Sequence, residues 1–429
     1  MSAIRHTTEI QVNVPDGGVV IVHPARQHAY EVVLAAQRAG RLRQFITGIY
    51  YNPAAFPYAL VPLLPRPLHD GAIRQLAKRA NPAIAAERVR SWPYAEILSR
   101  TIGRIRWIDR LSRHRSGFVF ANWATDLYAS RVLARMSPRP AAVYGFFGSV
   151  VHTFSRARQL GIPTILDVPC LLGGDDIGRE ECRALGLKDS LPPSVDAARE
   201  LGLSDWVVAP SPAVAESIRL AGFAGRGTFV VPFGADTDAF RPAAQPRGAA
   251  RFRAVFAGRL EVRKGVHYLL DAWQRAGLDG ELVIAGPPSS EQYLARIRQL
   301  YSGNVVEAGN LVQPQLAALF STADVFVFPS LSEGSAVVVY EALASGLPCI
   351  VTAESGSVVR DGIEGFLVPS RNVAAICDRL QRLYHDPEMR QRMARAARVR
   401  ASEFTWATYH HKIGSIIDHV LGHQRSQCG

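Results

Sequence analysis

Two glutamates and two cations are the side chains whose types and spacing best suit chemistry. Glu333 and Glu341 stand eight residues apart in the segment from Phe328 to Pro348. The apolar run Val325 to Phe328 reads as a buried strand that Pro329 ends, and a polar loop follows. A helix then runs to about Ser345, with Gly346 as its stop. One carboxylate stands at the mouth of this helix and the other about two turns deeper, an axial rise of about 12 Å. Such a pair can hold hydroxyl groups at both ends of a nucleotide sugar, while the free amides near Gly334, Ser335 and Ala336 face the phosphates between. The cations lie in Phe256-Ala-Gly-Arg-Leu-Glu-Val-Arg-Lys-Gly265. Arg259 and Lys264 flank a turn at the end of a strand, and a forked guanidinium beside a point-charge ammonium suits a diphosphate. An ordinary basic loop is the alternative. Lysine is scarce: Lys78, Lys188, Lys264 and Lys412 are the only four.

The elements around these residues alternate between strand and helix. In the first half, Val19 to Val22, Phe45 to Tyr50, Phe118 to Ala121, Ala141 to Tyr144, Pro163 to Asp167, Trp206 to Ala209 and Thr228 to Val231 read as strands. His28 to Arg38 reads as a helix closed by Gly40, Tyr51 to Pro67 as an irregular aromatic insertion, and Pro82 to Arg115 as largely helical and basic. Arg241 to Ala250 reads as a linker. The second half repeats the pattern, with strands at Arg253 to Phe256, Glu281 to Ala285, Asn304 to Glu307, Asp324 to Phe328, Pro348 to Thr352 and Gly365 to Val368. This alternation predicts an α/β protein of two doubly wound, Rossmann-like domains facing across a cleft. They comprise residues 1–240 and 241–405, and a C-terminal helix at 406–423 packs back on the first. Ligands of such sheets sit at the carboxyl ends of the strands.

Composition narrows the class. A chain of 429 residues with 48% hydrophobic and 20% charged side chains is long and apolar enough for two or three globular domains. No apolar run approaches the roughly 18 residues of a membrane span, and residues 1–14 lack the apolar core of a signal peptide. Cys170, Cys182, Cys349, Cys377 and Cys428 form no Cys-x-x-Cys pair, which fits free thiols in a reducing cytoplasm. The net charge is +12. Eleven lysines and arginines stand against three acids between Arg74 and Arg115. No nucleic-acid-binding motif accompanies them, so the choice is between an anionic membrane surface and a solvated basic face.

The ordered set of motifs resembles the retaining family-4 glycosyltransferases of the GT-B fold. It comprises Gly258-Arg-Leu with Lys264-Gly265, Pro329-Ser-Leu-Ser-Glu-Gly334, Ala344-Ser-Gly-Leu-Pro348 and Asp361-Gly-Ile-Glu-Gly-Phe-Leu-Val-Pro369. Val231-Pro-Phe-Gly-Ala-Asp236 is similar to a further element that precedes the linker in that family. The resemblance is strong over about Leu203 to Trp406. It implies transfer of a sugar from a nucleotide-diphosphate donor with retention of configuration; the basic stretch and the apolar, aromatic Tyr50 to Leu68 segment point to a saccharide or lipid-linked acceptor in exopolysaccharide, lipopolysaccharide or other envelope glycan synthesis. The resemblance also implies residue roles. Arg259 and Lys264 would bind the donor diphosphate, Glu333 the sugar hydroxyls and Glu341 the ribose hydroxyls. Gly334 and Ser335 would face sugar and phosphate, and Gly309, Asn310 and Leu311 would lie near the base. The cations and helix start would stand in for a metal, so no metal and no cofactor beyond the nucleotide sugar are expected.

Three features depart from the family or mislead. The loop His23-Pro-Ala-Arg-Gln-His28 has no glycine, and Arg26 or His28 there is either a ligand contact or a surface residue. Asp167 stands where many members carry a histidine, and it orients the acceptor hydroxyl, takes its proton, or only satisfies a turn. His152 lies near it in sequence and reads as an ordinary helix-face histidine. Asp236-Thr-Asp238 matches the metal motif of the other major glycosyltransferase fold, but its place after a strand favours turn chemistry. The competing functions are a sugar-nucleotide epimerase or phosphorylase of the same fold and a catalytically inactive binding subunit. The expected location is the cytoplasm, at the inner membrane face where the basic stretch would bind.

Overall fold

A computed structural model describes residues 17–25, 28–102, 117–188, 197–243, 251–301 and 304–428. Thirteen strands are described: β1 (Val19–His23), β2 (Leu42–Thr47), β3 (Val89–Ser91), β4 (Ala142–Phe146), β5 (Thr164–Asp167), β6 (Trp206–Ala209), β7 (Gly227–Val230), β8 (Phe252–Ala257), β9 (Gly280–Ala285), β10 (Val305–Gly309), β11 (Val325–Phe328), β12 (Cys349–Thr352) and β13 (Gly365–Val368). They form a seven-stranded sheet in the order β3-β2-β1-β4-β5-β6-β7 and a six-stranded sheet in the order β10-β9-β8-β11-β12-β13. The registered pairs, such as β1 with β4 and β8 with β11, run parallel. The central strands are uniform apolar runs rather than alternating ones, because helices cover both faces. Every residue of β1, β4, β11 and β12 is buried. The two Rossmann-like α/β sheets expected from the sequence are both present.

By contacts the chain divides into two compact units. One comprises Met1–Leu166, Leu203–Asp205 and Ile413–Gly429, the other Asp167–Gly202 and Trp206–Lys412. The first change of unit along the chain falls at Leu166/Asp167, and most of the expected linker at 241–250 lies outside the described residues. A physical reason is that Pro169 and Gly174 press directly on the loops at Gly334 and Ser332. Within the first unit, Asp418 of the long helix Trp406–Cys428 accepts a hydrogen bond from Arg41 Nε at 2.7 Å.

Two local readings are corrected. Phe118 to Ala121 is no strand but the start of the helix Gly117–Arg135. Its buried positions Ala121, Ala124, Thr125, Ala129, Val132 and Leu133 recur at helical spacing, and four apolar residues alone cannot tell the two states apart. The segment expected to be helical from Pro82 contains β3, a three-residue edge strand paired with β2. Arg88 helps dock it by donating to the Leu42 carbonyl. The helix Tyr94–Ile102 follows, and residues 103–116 lie outside the described residues.

Candidate active site

Strand β8 delivers the basic turn. After Ala257 the chain turns through Gly258 and Arg259, and Lys264 N closes the turn by donating to Glu261 O at 2.9 Å. Gly265 ends the turn with φ +66°, and a Cβ there would stand 2.1 Å from the Pro329 carbonyl oxygen. Only glycine permits that conformation and approach together. Strand β11 delivers the acidic loop beside it. The Arg263 carbonyl accepts from Leu331 N at 2.7 Å and from Ser330 Oγ at 3.0 Å. On its other side the acidic loop is tied to the segment after β12. Thr352 Oγ1 donates to Ser330 O, Glu333 N to Glu354 O at 2.9 Å, and Ala336 N to Ser355 O at 3.1 Å.

These ties bring the predicted cations and Glu333 together. Lys264 Nζ makes an ion pair with Glu333 Oε1, and Glu261 stands 3.7 Å from the same ammonium. Glu261 also pairs with Arg263 at 3.0 Å. A cavity of about 370 Å³ opens here, lined by Gly258, Arg259, Lys264, Glu333, Ser335 and Val338, among others. Arg259 is exposed at its edge and has no ion-pair partner among the described residues. Burial pushes the Lys264 ammonium down to about 8; Glu261 opposes the shift, while Arg263 and Arg259 add to it. The Glu333 contact also works to keep it charged.

The helix after the loop spans Val337–Ala344, so it starts later than the sequence suggested. Glu333 lies in the loop before it and Glu341 one turn inside, which removes the regular helical rise expected between them. Ala336 lines the cavity with Val337 and Val338, but its amide is engaged with Ser355 and so is not available to a phosphate. Burial pushes the Glu341 carboxyl up to about 7, and the charge of Asp236 adds to the shift. No hydrogen bond to a described residue counters it. Asp236 itself forms the expected turn, its Oδ1 accepting from Asp238 N at 3.1 Å and Ala239 N at 3.0 Å.

The remaining candidates stand apart from the cavity wall. Gly309 ends β10 and Asn310 and Leu311 follow it on the same carboxyl edge, where Gly286 N donates to Gly309 O at 2.7 Å. They do not line the cavity. Asp167 is buried at the end of β5, also outside the lining, although Pro169 two residues later touches Gly334. His28 packs edge-on against Phe146, and Arg26 lies outside the described residues. His152 is no bare helix-face residue. Asp126 accepts from its backbone N at 2.7 Å and its Nδ1 at 3.0 Å, and from Thr153 N, capping the helix Val151–Gln159. Sequence reasoning missed Asp126, Arg263, Ser330 and Thr352; of these only Arg263, beside Lys264, carried a signal. It also missed a second cavity of about 330 Å³ in the first unit. Tyr50, Asn52, Tyr58, Arg90, Ser91 and Tyr128 line it, with Arg90 Nε donating to Tyr128 OH at 2.9 Å.

Residues 241–400 match the family of glycosyl transferases group 1. D-inositol 3-phosphate glycosyltransferase of Arthrobacter sp. (strain FB24) is 33% identical over 216 residues, which cover 44% of this chain and 51% of that protein. Glycogen synthase of Mycobacterium tuberculosis (strain ATCC 25618 / H37Rv) is 35% identical over 164 residues, 36% of this chain and 39% of that protein. The chain thus spans about half the length, or less, of these two relatives. Among solved structures, Anabaena Alr3699/HepE in complex with UDP superposes with a TM-score of 0.64 at 14% identity, covering 94% of this chain and all of that one. Sucrose-phosphate synthase from Thermosynechococcus elongatus gives 0.63 at 18%, covering 94% and 99%. Identities this low show a shared fold only. Residues 241–400 thus resemble the glycosyl transferases group 1 family, in a chain that shares the two-domain GT-B fold of its structural neighbours.

Proposed function

We propose that the chain is a retaining glycosyltransferase that moves a sugar from a nucleoside-diphosphate donor to a saccharide or lipid-linked acceptor in envelope glycan synthesis. The observation that carries this reading is Arg259, Lys264 and Glu333 converging on one cavity at the carboxyl edge of β8 and β11. Arg259 and Lys264 would bind the diphosphate and take up the negative charge that grows on it as the glycosidic bond breaks. Glu333 would then exchange its ammonium partner for sugar hydroxyls and face the positive charge developing on the sugar carbon. Amides of Gly334 and Ser335 would hold sugar and phosphate. Glu341, ionised, would accept from both ribose hydroxyls, and the loop 309–311 would border the base. The work is positioning and charge stabilisation, with no metal required. Asp167 would orient the acceptor. The aromatic faces, hydroxyls and guanidinium of the second cavity suit a saccharide acceptor. Retention rests on the motif set of the second half.

Replacing Arg259 or Glu333 by Ala removes a group that acts on the transition state, so each should lower turnover by roughly a hundredfold or more. Tyr128→Ala should raise the acceptor KM and leave the donor KM unchanged. All three should be assayed as sugar transfer with and without EDTA, which should make no difference. Full turnover in Arg259→Ala or Glu333→Ala, or activity lost to EDTA and restored by manganese, would refute the assignment. Interconversion of sugar nucleotides without diphosphate release would identify an epimerase instead.

Donor affinity should follow two titrations. Diphosphate binding needs charged Lys264 and so weakens as pH rises through about 8; ribose binding needs ionised Glu341 and so weakens as pH falls through about 7. The expected profile is a bell between these limits, measured by calorimetry with an intact nucleotide sugar, whose diphosphate does not titrate in this range. Glu341→Gln should abolish the acid limb. An acid limb that persists in that variant would remove Glu341 from the donor site.

The first unit carries support for a membrane surface at the cytoplasmic face. Phe56, Leu63, Tyr94, Leu98, Phe120 and Trp123 are all exposed there, and Tyr94 and Leu98 fall within the basic stretch in sequence. No helix among the described residues is long and apolar enough to cross a membrane. Apolar side chains amid cations suit the boundary of an anionic bilayer. Vesicle flotation should show binding to phosphatidylglycerol vesicles, little to phosphatidylcholine, and loss of binding when Leu63 and Trp123 are replaced by Ser. Equal flotation with both lipids would count against it.

A further inference from the structure

A buried polar cluster that the proposed chemistry does not use lies one helical turn from Lys264. Its centre is Glu181, 3% exposed, on the helix Gly174–Ala184. Glu181 Oε1 accepts from Tyr268 OH at 2.6 Å and from His267 Nε2 at 3.0 Å. Its Oε2 accepts from Arg371 Nε at 2.9 Å. Tyr293 OH completes the cluster at 3.0 Å from His267 Nδ1, and Glu180 stands 3.3 Å from Arg371. Burial alone would raise the Glu181 carboxyl, but the three hydrogen bonds bring it down to about 2, so it is ionised at any ordinary pH.

Three features connect this cluster to the donor site. His267 and Tyr268 open the helix Val266–Ala276, which begins directly after Gly265 at the end of the Lys264 turn. The helix that carries Glu181 packs against that turn, Val262–Lys264. Its lead-in, residues 169–174, is seated on the acidic loop. A Cβ at Gly334 would stand 1.7 Å from the Pro169 carbonyl oxygen, and one at Gly174 would stand 2.3 Å from Ser332 Oγ. Cys170 in the same lead-in lies within range of the Arg263 charge. Arg371, which reaches Glu181 after β13, has φ +60° and is the only non-glycine residue with positive φ among the described residues. Backbone held in that region persists only where its surroundings enforce it.

We infer that Glu181 is a positioning residue for the donor site. By pinning the helix Gly174–Ala184 to His267, Tyr268 and Arg371, it holds residues 169–174 over the loops that bear Lys264 and Glu333. That cover keeps water from Lys264 and fixes the ammonium relative to Glu333. The consequence for a nucleoside diphosphate rests on the donor reading given above; the positioning itself does not.

The test compares the unaltered chain with Glu181→Gln and with the milder Tyr268→Phe, which serves if the first variant does not fold. Amide hydrogen exchange without ligand should quicken about tenfold or more at 262–265 and 331–334 as well as along 169–184, with β8 and β11 unchanged. The affinity for whichever of UDP, GDP or ADP binds the unaltered chain should fall about tenfold. The alkaline limb of that binding should move up toward an ordinary lysine. Glu261, Glu333, Arg263 and Arg259 surround the Lys264 ammonium, and Tyr268→Phe alters no charge at all, so in that variant the upward move reads the readmitted water. A purely structural Glu181 would lower the melting temperature yet leave the exchange at 262–265, the affinity and the limb where they were, and that result overturns the inference. If no diphosphate binds the unaltered chain, the donor reading fails, while the exchange measurement still decides whether Glu181 positions the loops.

Discussion

The contact between Lys264 and Glu333 is the interaction on which the rest of the site depends. A half-buried ion pair contributes little net stability, because desolvating both charges offsets most of their attraction. It needs loops that hold the partners together regardless. The Arg263 carbonyl provides this by accepting from Ser330 and Leu331, so the basic turn cannot move without the acidic loop. In the proposed function the pair would part on binding: the diphosphate would take the ammonium, and the carboxylate would turn to the sugar hydroxyls.

Everything beneath the pair serves that alignment. Strands β8 and β11 are adjacent in the six-stranded sheet and parallel, so their carboxyl ends stand side by side. Turns leaving adjacent parallel strands meet at one edge, which is why such sheets bind ligands there. Phe256 and Phe328 stack at 5.6 Å beneath the two turns, and Lys264 Nζ lies 5.7 Å over the Phe328 ring. The aromatic floor supplies the low-dielectric surroundings that depress the lysine and sharpen its response to a bound anion. Glycine at 265 and 334 lets backbone reach backbone where any side chain would hold the loops apart.

Most of the second sheet, and the three side chains Arg259, Lys264 and Glu333 that meet at the first cavity, were legible in the sequence, for physical reasons. Buried parallel strands are unbroken apolar runs, and a lysine in a chain with four is conspicuous. The boundaries were less legible. The start of the helix at Val337 is set by Ala336 N reaching Ser355, a contact between residues nineteen apart that no local pattern announces. Phe118 to Ala121 misled because four apolar residues fit strand and helix alike. β3 was missed because a three-residue edge strand is specified by its neighbour β2 rather than by its own sequence. The Glu181 cluster joins positions as distant as 181 and 371, and its polar residues looked like solvated charges until the fold buried them.

The central claim is that the Arg259, Lys264 and Glu333 cavity binds a nucleoside diphosphate. The most direct measurement is the thermal shift of the purified chain against UDP, GDP and ADP, with UMP as the control. A ligand at a hundred times its dissociation constant adds about 2.7 kcal/mol to stability, well within reach of such a measurement. The account predicts that one diphosphate raises the melting temperature, that the monophosphate does so far less, and that Arg259→Ala abolishes the difference. No shift with any diphosphate, or an equal shift in Arg259→Ala, would contradict it.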